Sequence, residues 1–392
     1  MKLSLFSLFL GTFALGTAEF IVEGLLPPLA ADLGVSVPVA GFVITAYAIG
    51  VAVGGPLLSV LLGRIPPKLA LLVLIAVFTL GQAACALAPS YAVLVAARTI
   101  VAACHGCFFG VAVVLATHIV PPDRAGRAAA LLLAGVTTAN VLGVPAGSAV
   151  GTALGWRMSF WCVLALGVVA TAAIALWVPD ERPARGEKPD VRGQLARLAQ
   201  PSLYRYFLVI IFSMAGQLAL FSFIAPYLTG VSGLSAAEVP WFLLLFGVGS
   251  TLGVLAGGRL ADWRLTGSLL TILVAQIVTY LAIAALGHAA AFMLPFAVLW
   301  GFAAFAFSPG AQAGVLRHAG PAANLASSLI PTAFNIGIAI GAAGGAAALG
   351  WAGTPNVLPW LGALASAGAL VALAAGSLPA FSGLAGGARR AG

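Results

Sequence analysis

Across 392 residues, 62% hydrophobic content, 7% charged side chains and a mean hydropathy of +1.11 exclude an ordinary soluble domain. Apolar runs of about 20 residues recur along the chain, each long enough to cross a bilayer as a helix, without the short alternating segments of a membrane β-barrel. A net charge of +8 would suggest nucleic acid in a soluble protein, but here the charges sort by membrane side; the lipid bilayer is the expected partner, and nucleic acid is not.

In chain order the predicted spans are 4–30, 37–62, 69–88, 91–118, 128–151 and 157–178, then 204–229, 239–260, 267–287, 290–316, 323–350 and 357–379. The first is read as a span and not a removed signal peptide, because its apolar run continues past Glu19 to about Ala30 and eleven more spans follow. It holds two carboxylates, Glu19 and Glu23, one helical turn apart on one face. A charge at mid-bilayer costs about 2.5–3.5 kcal/mol on insertion scales, so this face is expected to look into a polar cavity where a proton is taken up and released. The other reading of Glu19 is a buried acid held permanently by a hydrogen bond or by Arg98.

The fourth span carries Arg98 and His105, two turns apart on one face. Histidine titrates in the working pH range, which makes His105 a candidate relay; a packing histidine is the alternative. Cys104-His105-Gly106-Cys107 has neither the haem-attachment order nor a second ligand pair, and the four cysteines lie within spans, so no metal and no disulfide framework are expected. The fifth span contains Gly143, Pro145 and Gly147, where a missing hydrogen bond and thin packing predict a bend.

Between the halves lies the one long polar stretch, Pro179 to Ser202, read as a solvated linker. With the N-terminus inside, Lys2, Arg64, Lys68, Arg124, Arg127, the basic residues from Arg182 to Arg205, Arg259, Arg264, Arg317, Arg389 and Arg390 all fall on the inner side, and only Arg98 and Arg157 do not. Both termini are therefore expected in the cytoplasm. A displacement of 195 residues superposes Gly63-Arg64 on Gly258-Arg259, Gly106 on Gly301, Asn140 on Asn335 and Gly155-Trp156 on Gly350-Trp351. This predicts two parallel six-span halves, 1–178 and 203–392, joined by a linker at 179–202. The offset carries Glu19 to Met214, Glu23 to Leu218 and His105 to Trp300, so the first half is expected to handle the proton. The second is expected to supply an aromatic and amide wall from Gln217, Phe221, Phe223, Trp300 and Asn335, with Tyr47 and Asn140 completing the cavity from the first half.

The ordered motifs Gly16-Thr17-Ala18-Glu19-Phe20 with Gly24-Leu25-Leu26-Pro27, then Ala97-Arg98 with His105-Gly106, then Ala139-Asn140 through Pro145-Ala146-Gly147 and Gly155-Trp156-Arg157 resemble the major facilitator superfamily. Within it the chain is similar to the twelve-span drug:proton antiporters, in the branch of arabinose, sugar, purine-nucleoside and chloramphenicol exporters. The resemblance implies twelve transmembrane helices in two pseudo-symmetric bundles, with spans 1, 4, 7 and 10 around a central cavity, and a leak-suppressing gate in span 5. It also implies Glu19 as the recurring acid, whereas Glu23 is not part of the pattern. The loop after span 2 lacks the family's acid beside Arg64, while its second copy keeps Asp262 with Arg259; these three are candidate gating residues.

The function so predicted is proton-driven export of a small molecule, a phenicol-type drug or a sugar- or nucleoside-like metabolite, across an inner membrane by a chain able to work as a monomer. Uptake of a metabolite is the alternative. No Walker-type loop supports an ATP-driven pump and no polar cluster supports a membrane enzyme; a channel is a weaker third class. No cofactor is expected beyond the coupling proton.

Overall fold

The computed structural model describes residues 2–121, 124–180 and 201–375, and among these the regular elements are all helices. Span 1 is Lys2–Phe20, followed by a 3₁₀ turn Ile21–Gly24 and a short helix Leu26–Asp32. Spans 2 to 6 are Val37–Leu62, Pro67–Ala86, Tyr91–Ile119, Ala125–Leu154 and Trp156–Trp177. Span 7 is Pro201–Phe221 with a short continuation Ile224–Gly230. Spans 8 and 9 share one helix, Val239–Leu286, and spans 10 to 12 are Ala290–Ala319, Ala323–Ala352 and Leu358–Ala375. Residues 181–200 of the expected linker at 179–202 lie outside the described residues, as do Arg389 and Arg390, and its last two residues begin the helix Pro201–Phe221.

The loop expected between spans 8 and 9 is absent. Arg264 alone leaves helical geometry (φ −149°, ψ 87°) and turns the chain, because Leu260 to Leu265 contain neither Gly nor Pro and each arm stays helical up to it. Hence 11 apolar helices, and not twelve separate ones, carry the twelve spans among the described residues.

Prolines set the other irregularities. Pro27 and Pro28 cannot donate to the carbonyls of Glu23 and Gly24, and the ladder ahead of them tightens, with Leu25 N–H bonding Val22 O at 2.9 Å. Pro56 and Pro145 withhold the same bond from Ala52 and Val141, and spans 2 and 5 each widen into a π turn just before, at Gly50–Gly54 and Ala139–Gly143.

The repeat is present in the packing. Gly106 of span 4 lies against Val51 O and Gly55 of span 2; 195 residues on, Gly301 of span 10 lies against Phe246 O and Ser250 of span 8. Gly54 seats Ala103 in the first half as Gly249 seats Val298 in the second. Small residues here let backbones meet, which drives helix association in lipid. One sequence match is not structural: Gly155 turns the chain (φ 92°) and Trp156 is buried, whereas span 11 runs on to Gly353 (φ 67°) and leaves Trp351 88% exposed.

The halves meet at the end remote from the linker. There span 2 packs on span 11, the far arm of span 5 on span 8, and the helix 26–32 on the helix 224–230. Gly41 abuts Phe223, and Gly247 receives the backbone of Asn140 and Val141. Among the described residues, no comparable packing joins residues 55–62 or 125–138 to the second half. The molecule is shut at the far end and parted at the linker end.

Candidate functional site

The break in span 1 creates the centre of the first half. Where Lys2–Phe20 ends, its last carbonyls lose their α-helical partners, and Arg98 of span 4 fills that role. Its Nη1 donates to Ala18 O at 2.6 Å and its Nη2 to Glu19 O at 3.2 Å, while the guanidinium lies 4.2 Å from the centre of the Tyr47 ring. Arg98 is fully buried. It grips the backbone at Glu19, so the carboxylate is positioned by this cation but not bonded to it. That carboxylate stands 4.0 Å from His105 Nδ1, which is also 3.0 Å from the Tyr47 hydroxyl. Glu19, Arg98, His105 and Tyr47 thus come together, and the Glu19 side chain keeps 12% exposure.

One residue from Glu19, Phe20 forms part of a small cavity of about 20 Å³ between the halves, lined also by Asn140, Val144, Gln217, Phe221, Leu243, Phe246 and Phe305. Asn140 reaches it from the π turn of span 5. The lining holds two amides and no charge, a surface suited to an uncharged amphipathic solute. Behind it, Phe221 and Phe246 stack at 4.4 Å, and Trp300 meets them edge-on at 6.0 and 5.2 Å.

Other expected cavity residues lie elsewhere. Phe223 is buried in the far-end seam between Gly41 and Gly345. Asn335, on span 11, turns its amide back to Pro331 O at 3.1 Å. Gly143 and Gly147 face Thr17 and Ile21, forming with Gly135 and Gly151 a groove in span 5 that seats span 1; Pro145 follows the π turn. Arg64, Arg259 and Asp262 are exposed at the parted linker end, with no ion pair among the described residues. The sequence reading missed Phe20, Val144, Leu243, Phe246 and Phe305, apolar positions that carry no distinguishing signal in a chain so rich in them.

At the far end, Asp32 accepts from Arg157 Nη1 and from Trp156 Nε1 (3.2 Å), and Arg157 Nη2 reaches Ala88 O at 3.1 Å. These hydrogen bonds hold the Asp32 carboxyl below its usual range.

Comparison with known proteins now places this architecture. The sequence profile of the Major Facilitator Superfamily matches residues 8–342. The chain belongs to that superfamily. It is 37% identical to the inner membrane transport protein YdhP of Escherichia coli over 367 residues, 94% of each chain. It is also 37% identical to a chloramphenicol resistance protein of Streptomyces lividans over 376 residues, 95% of each. Among solved structures, a bacterial homologue of the human lysosomal transporter Spinster superposes with a TM-score of 0.73 at 18% identity, covering 95% of this chain and 93% of that one, a likeness of fold. The protein is accordingly a multi-pass membrane transporter of the Major Facilitator Superfamily and not an enzyme.

Proposed function

We propose that this transporter exports a small, uncharged, amphipathic molecule in exchange for protons, by alternating access across the inner membrane with both termini in the cytoplasm. The observation that carries the reading is the Glu19–His105–Tyr47 group, set by Arg98 beside the inter-half cavity. At the equivalent positions of the second half stand Met214, Trp300 and Phe242, so one half holds everything needed to carry a proton and the other offers a neutral aromatic wall. The basic residues Arg64, Lys68, Arg259 and Arg264, all on the linker side, support a cytoplasmic linker. A transporter similar to a drug-resistance protein would lower the drug inside the cell, which favours export and makes a phenicol the first substrate to try.

Exchange of a neutral solute for a proton moves one charge inward, worth about 2.3 kcal/mol per 100 mV. Proteoliposomes holding the purified protein, given chloramphenicol and an imposed pH gradient, should move the drug against the proton flux. Glu19→Gln should keep the fold and reduce this to the leak of empty vesicles. Transport by the variant at the wild-type rate would remove Glu19 from the mechanism, and co-directional movement of drug and proton would make the protein an uptake system.

A further inference from the structure

Glu23 takes no part in the group around Glu19. It is fully buried in the 3₁₀ turn Ile21–Gly24, and neither carboxyl oxygen has a hydrogen-bond partner. That turn packs against the helix 224–230 and span 8, so the acid is shut inside the far-end seam between the halves. Its neighbour Gly24 abuts Ser148 and Leu243, and the Ser148 hydroxyl is also buried without a partner.

The charged and titratable groups around it are few. Glu19 lies one turn back on the same span, and Arg98, the cation whose field reaches Glu23, commits both Nη groups to the Ala18 and Glu19 carbonyls. Residues 144–154 of span 5 offer none. The helix 224–230 offers Tyr227, whose hydroxyl donates to Ile283 O, and the start of span 8 offers Glu238, exposed and held by Ser235. Asp32 and Arg157 pair with each other at the mouth. A fully buried ionised carboxylate with no protein donor or counter-ion is not sustained in such a place, whereas a neutral carboxyl is.

We propose that Glu23 is a second proton-binding site, distinct from Glu19, loaded while the far-end seam is shut and emptied to water when the seam parts. The inference rests on the alternating access of the proposed function, though not on its substrate or direction. Because the shut state binds the proton, acid on the far side favours the shut seam and alkali favours its opening. One such site changes the ratio of the two states by at most about tenfold per pH unit. The site exchanges its proton with far-side water alone, so it makes the seam respond to far-side pH and adds nothing to the protons that Glu19 carries across.

The test follows the seam. Val39 and Trp351 are exposed at the far ends of spans 2 and 11 and accept spin labels after change to cysteine, with the exposed Cys162 replaced by serine. In nanodiscs the label separation should widen as pH rises, both in the otherwise unaltered protein and in Glu19→Gln. In Glu23→Gln the pH response should vanish; Glu23→Met, of similar volume, repeats the test should the glutamine disturb folding. An unchanged response in the Glu23 variants, or its loss in Glu19→Gln with Glu23 present, overturns the proposal. As a direct readout, the infrared band of a protonated carboxyl should persist in Glu19→Gln at neutral pH, where exposed carboxyls such as Asp32 and Glu238 are ionised, and disappear in the double variant. Failure of the transport reading shows instead as absent drug movement with the seam titration intact.

Discussion

Residues 195 apart in the two halves occupy the same places and do different work. Tyr47 meets His105 with ring centres 6.0 Å apart, and Phe242 meets Trp300 at 5.9 Å; the first pair adds a hydrogen bond, the second does not. Arg98 is replaced by Met293 and Glu19 by Met214. The glycine contacts beneath are kept, at Gly106 on span 2 and Gly301 on span 8. The comparison separates what the architecture requires, close backbone approach, from what one half has added, a protonatable centre. It also separates them in backbone form, since the π turns before Pro56 and Pro145 have no counterpart in spans 8 and 11.

The shared frame can be attacked first, where the effect is largest. At Gly301 a Cβ would overlap the Phe246 carbonyl oxygen, a backbone atom that cannot turn aside, while at Gly106 it would stand 2.8 Å from Val51 O. Gly301→Ala should destabilise by about 2–3 kcal/mol and Gly106→Ala by about 1 kcal/mol, within the range for overpacked cores. Thermal unfolding in nanodiscs measures both; alanine tolerated without loss at both sites would mean that close backbone approach at these glycines is not what the shared frame requires.

The difference in chemistry can be erased by a single oxygen. Tyr47→Phe gives the first half the residue of the second and removes the hydroxyl that meets His105. A hydrogen bond of about 1 kcal/mol is lost, so stability should fall by about that much, and proton-driven transport should slow, by roughly fivefold if the bond is made only on the transport path. Phe242→Tyr should leave the rate alone. A slowing by Phe242→Tyr as large as that by Tyr47→Phe would show that the ring positions matter and the hydrogen bond does not.

How much of this was legible depended on the residue type. Glu19, Arg98 and His105 stood out because a charge in an apolar span is costly, and spacing alone placed Arg98 and His105 on one face. The repeat offset pointed to Gly106 and Gly301, which do meet equivalent neighbours, yet it also matched Trp156 with Trp351, one buried and one at the surface. Phe246 and Leu243 could not be told from lipid-facing apolar residues, since bilayer and core select the same side chains. Phe223 was legible as an aromatic in span 7, but its seat against Gly41 depends on how the halves close, which no local pattern records. The joined helix of spans 8 and 9 was hidden because Asp262 and Arg264 interrupt the apolar run and so read as a loop between two spans.

The smallest expected effect compares one corner of each half. In the first, Asp32 is tied through Arg157 to the carbonyl of Ala88; in the second, Tyr227 stands where Asp32 does and donates directly to the carbonyl of Ile283, the equivalent of Ala88. The same junction between the first and third spans of a half is thus closed by an ion pair in one case and by a neutral hydroxyl in the other. The Asp32 carboxyl is held below its usual range, so its contribution is complete above the unfolded value near 3.9 and is lost as pH falls through the lower folded value. The pair is partly exposed, with 46% of the Asp32 side chain and 38% of the Arg157 side chain accessible, which limits its worth to about 0.2–1 kcal/mol. Asp32→Asn should therefore lower the unfolding temperature slightly at neutral pH and flatten the loss of stability below pH 4, whereas Tyr227→Phe should cost about 1 kcal/mol at both pH values. Thermal unfolding of the two variants at pH 7 and at pH 3.5 distinguishes them, and a pH-independent effect of Asp32→Asn would mean that the first corner, like the second, is held by packing and neutral hydrogen bonds.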